Sequence, residues 1–195
     1  MNGHFASIPP EGRHRYAVRV YYEDTDAGGI VYHATYLRFA ERARTEALRD
    51  LGVPHADLVR SCNLMFVVRR IEVDYLRAAR VDDSLVVETE VLVAGAASAT
   101  LRQTVRGAAG VCAVLLVKLA CVRLPTGAVA AGQAGTGAGE PGPGGNKPGR
   151  LPPRWRTVLL AMRDARPAET AKGAAIGDAI AQDGDGIGGS GGSSS

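Results

Sequence analysis

One segment with helical periodicity lies among segments with the periodicity of strands, and this feature constrains the fold most. From Thr35 to Leu51, apolar residues recur every three or four positions and form one stripe: Tyr36, Leu37, Ala40, Ala43, Ala47, Leu48 and Leu51. We expect Thr35 to cap the start of this helix and Gly52 to end it. A single helix with a continuous apolar stripe has to bury that stripe against a sheet.

The flanking segments alternate apolar and polar residues, as strands do. One such segment lies at 15–22, and three follow the helix at 64–76, 85–93 and 99–106. The run VCAVLLVKLACV at 111–122 is apolar on both faces, and its β-branched residues favour a strand over a buried helix. The order β-α-β-β-β-β predicts an α+β fold, in which a five-stranded antiparallel sheet wraps around one long central helix. Pairing an edge strand with a second copy would remove one open edge of the sheet.

Glycine divides the rest of the chain. About two thirds of the 25 glycines follow Pro125, and the segments 125–150 and 167–195 hold too few large apolar residues to offset their chain entropy. We therefore predict a disordered insert, a disordered tail, a flexible N-terminus at 1–12 and a folded domain at 13–124. Between insert and tail, LPPRWRTVLLAMRDAR predicts a C-terminal helix within 151–166. Whether the final GGSGGSSS is native stays open.

Composition excludes several classes of protein. A formal net charge of +3 over 195 residues is too small to indicate a dedicated nucleic-acid binder. No stretch of about 18 apolar residues is present, so we expect no membrane insertion. The first ten residues show no signal-peptide pattern. The three cysteines lack CxxC spacing, which predicts a cytoplasmic protein without a disulfide scaffold or zinc ribbon.

Residues 21–46 carry the chemistry that can be recognised in the sequence. Three carboxylates, Glu23, Asp24 and Asp26, precede a Gly-Gly turn, His33 and the start of the predicted helix. A helix start offers unpaired amide N–H groups that can stabilise an oxyanion. A nearby carboxylate can act as a base or a nucleophile on a carbonyl carbon. Spacing alone does not choose between the two aspartates, and a solvated acidic loop with a packing histidine remains an alternative.

The segment YYEDTDAGGIVYHATYLRFAERARTE closely resembles the signature of the hotdog-fold thioesterases of the 4-hydroxybenzoyl-CoA thioesterase family, and within it the Tol-Pal-associated acyl-CoA thioesterases. FVVRRIEVDYLRAARVDD, at 66–83, resembles the next strand and turn of that family. The resemblance covers about 19–124, and 151–163 resembles the closing helix. The Gly/Pro insert and the tail depart from the family pattern.

The resemblance implies a hotdog fold and the hydrolysis of acyl-CoA to a free acid and CoA. It implies that Asp26 is the catalytic base or nucleophile, and that the helix start at His33 polarises the thioester carbonyl. Glu41 and Glu46 are alternative carboxylates on the helix, although exposed helix charges are the favoured explanation for them.

Substrate contacts are expected mainly around the same segment. The candidates are Tyr22, Gly29, Tyr32, Val67, Val68 and Arg69, the last because arginine matches the geometry of CoA phosphates. We expect no cofactor apart from the CoA of the substrate and no metal, because Asp26 and His33 lack partner ligands at zinc spacing. The expected partners are acyl-CoA, an acyl carrier protein and further copies of the chain in a homodimer or homotetramer.

Two other functions stay open at this stage. One is an acyl-thioester hydratase or dehydratase on the same fold. The other is a non-catalytic module that binds acyl-CoA or acyl carrier protein at the cell envelope. The presence of both Asp26 and His33 favours catalysis. The length of the acyl chain, and its aromatic or aliphatic character, stay open as well.

Overall fold

The computed structural model describes residues 8–124 and 147–167. These ranges contain three α-helices and five strands: α1 (His33–Asp50), α2 (His55–Cys62), α3 (Pro153–Asp164), β1 (Arg13–Arg19), β2 (Leu64–Tyr75), β3 (Ser84–Ala94), β4 (Ser98–Gly107) and β5 (Gly110–Arg123). The predicted tail, and most of the predicted insert and N-terminal segment, lie outside the described residues. The stretch 147–150 is described, and its Pro148 bridges Val122 of β5.

The five strands form one antiparallel sheet in the order β1-β3-β4-β5-β2. β1 and β2, which flank α1 in the chain, lie at opposite edges of the sheet. β1 covers β3 only as far as the pair Arg13↔Glu90, and the remaining end of β3 packs against α3. The predicted α+β architecture is confirmed.

The long helix α1 is the centre of the hydrophobic core. Its buried face carries two aromatic residues followed by three small ones: Tyr36, Phe39, Ala40, Ala43 and Ala47. The small side chains let the helix backbone approach the sheet closely, while the aromatic pair fills the wider space near the helix start. Residues on β3, β4 and β5 complete this core.

The two ends of α1 can be compared with the predicted cap residues. Thr35 is not the N-cap: the helix begins at His33, Tyr32 is the N-cap, and the Thr35 amide donates to the Tyr32 carbonyl at 2.8 Å. The stop at Gly52 is confirmed, because Gly52 has a left-handed φ of 72° and its amide donates to the carbonyl of Arg49.

Two further helices close one end of the sheet. The short helix α2 begins directly after Pro54, and it ends at Asn63, which adopts a left-handed φ of 51°. The C-terminal helix α3 buries Trp155, Val158, Leu159 and Met162, which recur at a spacing of three or four residues on one face. None of the helices in these described ranges is long and apolar enough to span a membrane.

Candidate active site

A tight hairpin over residues 24–32 leads directly into α1. The amide of Asp26 donates to the Ile30 carbonyl at 2.9 Å, and the amide of Tyr32 donates to the Asp24 carbonyl at 2.9 Å. At the tip, Gly29 has a φ of 71°, which side-chain-bearing residues rarely adopt. The hairpin therefore holds both aspartates beside the residues that begin the helix.

The two aspartates have different surroundings. Asp24 is buried, and its Oδ2 accepts the Tyr21 amide at 3.0 Å. Asp26 is exposed in the single chain, and its Oδ1 accepts the Gly28 amide at 2.8 Å. Its other carboxylate oxygen makes no hydrogen bond to a described residue. Asp24 thus stabilises the loop, whereas Asp26 keeps one oxygen available for chemistry.

The start of α1 is open to a ligand. His33 is the first helical residue, and no side chain among the described residues caps this end of the helix. The first amides of a helix lack intrahelical partners and carry partial positive charge, so they can bind an oxyanion. The His33 ring lies between Tyr32, with ring centroids 4.3 Å apart, and the edge of Tyr75 at 6.3 Å.

The loop after β2 supports both the hairpin and the helix. The amide of Val31 donates to the Ala79 carbonyl at 2.8 Å, and the amide of Ala79 donates to the Tyr36 hydroxyl at 3.1 Å. Burial raises the pKa of Tyr36, so this hydroxyl stays protonated at neutral pH. The Tyr75 hydroxyl donates to the His33 carbonyl at 2.9 Å and ties the end of β2 to the helix.

Three of the predicted substrate contacts lie close to Asp26 and His33 in the chain fold. Gly29 and Tyr32 belong to the hairpin, and Tyr22, which is 82% exposed, belongs to the short helical turn just before it. The exposed rings of Tyr22 and Tyr32 give this surface an unusual aromatic character. All three residues therefore lie within a few chain positions of the candidate catalytic pair.

The other three predicted contacts lie elsewhere in the single chain. Val67, Val68 and Arg69 are on β2, where Arg69 sits at a bulge in the pairing with β5. At about 3.3 Å per strand residue, they are roughly 20–26 Å along β2 from Tyr75, the strand residue that touches His33. One copy of the chain does not bring them to Asp26.

Possible metal ligands are scattered rather than grouped. Within 8–124 and 147–167, no three His, Cys, Asp or Glu side chains lie together so that they could hold a metal ion. The absence of a cofactor therefore remains a prediction from the sequence.

Comparison with known proteins identifies the family. The family model of the thioesterase superfamily matches residues 28–113. The acyl-CoA thioesterase YbgC of Haemophilus influenzae is 49% identical over 109 residues, which cover 56% of this chain and 80% of the relative. The chain belongs to the thioesterase superfamily. The predicted family is thereby confirmed.

Solved structures of thioesterases share the fold. A probable thioesterase from Bartonella henselae is 32% identical, with a TM-score of 0.58 over 72% of this chain and 99% of that one. A Thermus thermophilus thioesterase, complexed with coenzyme A and Zn, is 26% identical, with a TM-score of 0.56 over 78% of this chain and 95% of that one. The predicted hotdog fold is confirmed.

Sequence reasoning missed one residue of the site in this superfamily member. Tyr75 contacts His33 through both its ring and its hydroxyl. The alternation of Ile71, Val73 and Tyr75 along β2 put these residues on one face of the strand, without saying which face meets the helix. The alternation does not predict the register of β2 against the helix. That register is set by the packing of the sheet on α1.

Proposed function

We propose that this chain hydrolyses the thioester bond of acyl-CoA to a free acid and CoA, with Asp26 as the reacting carboxylate. One observation carries the proposal. An aspartate with a free carboxylate oxygen is held by a glycine hairpin beside the uncapped start of the central helix. The acyl-CoA thioesterase that the chain resembles over 80% of its length supports the same substrate class.

The proposal gives each part of the site a role. The thioester carbonyl oxygen points at the amides of the first turn of α1, near His33, which take up the negative charge that develops on it. Asp26 either removes a proton from the attacking water or attacks the carbonyl carbon itself. In the second case, water hydrolyses the resulting mixed anhydride. In both cases the C–S bond breaks, and the CoA thiolate takes up a proton.

A second copy of the chain completes the site in this proposal. The outer edge of β2 is unpaired in the described chain. If two copies of β2 pair antiparallel, the Tyr75 end of one strand lies beside the Leu64 end of the other. His33 of one copy then approaches Val67, Val68 and Arg69 of the second copy, so all the predicted contacts belong to one site in a homodimer. A homotetramer would pair two such dimers.

The remaining assignments follow from the proposed chemistry. Tyr22, Gly29 and Tyr32 border the reacting carbonyl, while Arg69 binds a phosphate of CoA. Acyl carrier protein is a second possible carrier of the acyl group, because it presents the same thioester. The protein acts in the cytoplasm, and no metal enters the reaction.

The test is thiol release from acyl-CoA by the variant Asp26→Asn. This change keeps the shape of the side chain and removes its basicity. We expect kcat/KM to fall by roughly 100-fold or more, as is usual when a general base is lost. Glu23→Gln is the matched control, because Glu23 is an exposed carboxylate in the preceding turn. Its activity should stay within about two-fold of the unchanged protein.

Three results would contradict the proposal. An Asp26→Asn variant that retains activity within a few-fold would exclude Asp26 as base or nucleophile. Addition of water to an enoyl-CoA without thiol release would identify a hydratase. Binding of acyl-CoA without any turnover would identify a binding module.

A further inference from the structure

We propose that a channel between α1, β2 and α3 binds the apolar tail of the acyl group, and that α3 forms its end and limits the chain length. This inference rests on the proposed function, because it extends the same substrate away from the thioester. It is carried by two adjacent cavities whose linings change from polar to apolar.

The outer cavity opens beside the edge strand β2. It has a volume of about 150 Å³, and its rim includes Glu41 and Thr45 of α1, His55 of α2 and Val68 of β2. The Thr45 hydroxyl donates to the Glu41 carboxylate at 2.9 Å. In the proposed homodimer this opening faces the His33 end of the second copy, where the thioester lies.

The inner cavity lies deeper, between the helix and the sheet. It has a volume of about 40 Å³ and is lined mainly by aliphatic side chains, including Ala47, Leu51, Val91 and Leu101. Both cavities share Arg44, Leu48, Phe66 and Leu119 as a common wall. Leu48, Phe66 and Leu119 are only partly buried, and in this proposal their side chains turn aside to join the two spaces into one channel.

Polar groups on the common wall are held in place. The Arg44 guanidinium donates to Gln103 Oε1 at 2.7 Å, and Gln103 Nε2 donates to the Ala40 carbonyl and to the Thr89 hydroxyl at 2.9 Å each. Gln103 is fully buried. This network marks the boundary between the polar opening and the apolar interior, which suits a chain that is polar only at its thioester end.

The inner end of the channel is formed by α3. Leu159 and Met162 line the inner cavity, and both are almost completely buried. Methionine is flexible enough to fit an irregular space. A fatty acyl chain that enters from the rim therefore ends against these two side chains. The position of α3 then sets the longest acyl chain that the channel accepts.

The test is the acyl-length profile of Met162→Ala, with Val158→Ala as the matched control. Val158 is buried on the same face of α3 and is not part of either cavity lining. Each buried methylene should raise affinity about four-fold until the tail meets the end wall. Met162→Ala removes three heavy atoms from that wall and should move the preferred length up by about two carbons. Ala47→Val, which narrows the inner cavity, should move it down.

Two readouts separate this inference from the proposed function. The first is kcat/KM for a series of saturated acyl-CoAs, and the second is the dissociation constant of the same series with the Asp26→Asn variant, measured by calorimetry. Turnover without a Met162-dependent profile, or an equal shift in Val158→Ala, would overturn the channel and leave the hydrolase. A Met162-dependent profile of binding without turnover would support the channel and overturn the hydrolase. Failure to bind any acyl-CoA would overturn both.

Discussion

Asp24 and Asp26 have the same side chain, but the backbone around them places the two carboxylates in different environments. Asp24 lies inside the turn and accepts a main-chain amide there, so its charge is used for structure. Asp26 lies two residues later, on the outside of the hairpin, with one oxygen bound to Gly28 and one free. Aspartates two positions apart in an irregular turn can face different environments, and only the Asp26 carboxylate is exposed here.

His55 shows how burial affects a single titrating group. Its Nε2 accepts the Phe66 amide at 3.1 Å, and its ring stacks on Phe66. Burial lowers the pKa of His55 below its usual value of 6.5, although the charge of Glu41 opposes the shift. Below pH 6.5 the unfolded chain therefore takes up a proton that the folded chain resists, and the free energy of unfolding falls as pH falls.

We predict that His55→Gln reduces this pH dependence. Glutamine can still accept the Phe66 amide but does not titrate. Between pH 7 and pH 5.5, the melting temperature of the unchanged protein should fall more steeply than that of the variant. The difference is at most about 1.4 kcal/mol per pH unit. Thermal melts at matched ionic strength measure it, and parallel curves for the two proteins would show that His55 titrates alike in both states.

At the scale of elements, the N-terminal turn packs closely against α3 at a single glycine, Gly12. Gly12 precedes β1 with a left-handed φ of 63°. A Cβ there would overlap the Met162 carbonyl and press on Arg166. Glycine is therefore needed both for the conformation of the backbone and for the close approach of α3.

We predict that Gly12→Ala lowers the free energy of unfolding by about 2–3 kcal/mol, through strain and overpacking together. Gly29→Ala is the control, because Gly29 has a similar φ of 71° and a Cβ added there would meet nothing within 4 Å. That variant should lose only about 1–2 kcal/mol, the cost of a left-handed backbone. Denaturant titrations compare them, and equal losses would show that α3 does not press on Gly12.

At the scale of the whole molecule, the sheet offers two surfaces for association. The face of the sheet away from α1 carries cross-strand ion pairs, such as Arg13 with Glu90 at 3.2 Å and Arg15 with Glu88 at 3.1 Å. The edge of β2 instead exposes backbone groups and the apolar Val68, which is 47% exposed. Unpaired edges with apolar side chains favour pairing with another strand, and lysine on an edge opposes it.

We predict that Val68→Lys weakens the proposed homodimer, because it replaces an apolar side chain on the unpaired edge with a charged one that opposes strand pairing. Val93→Lys is the matched control, since Val93 is 55% exposed on a different strand. Sedimentation velocity should show a shift toward single chains for Val68→Lys alone. A dimer that survives this change, or an equal shift in both variants, would place the contact elsewhere.

The sequence by itself determined the element types and the position of the chemistry. The stripe on α1 and the alternation on the strands depend only on local periodicity, so they predicted the layers, and the resemblance at 21–46 pointed to Asp26 and His33. The helix start at His33, the helix α2 and the role of Asp24 depend on packing and on hydrogen bonds between segments. For the same reason, only the tertiary structure placed Tyr75 against His33, and separated Val68 from Asp26 in one chain. The register of the strands against α1, and the distances between residues far apart in the chain, are set when the sheet packs on the helix. No local pattern of residues predicts them.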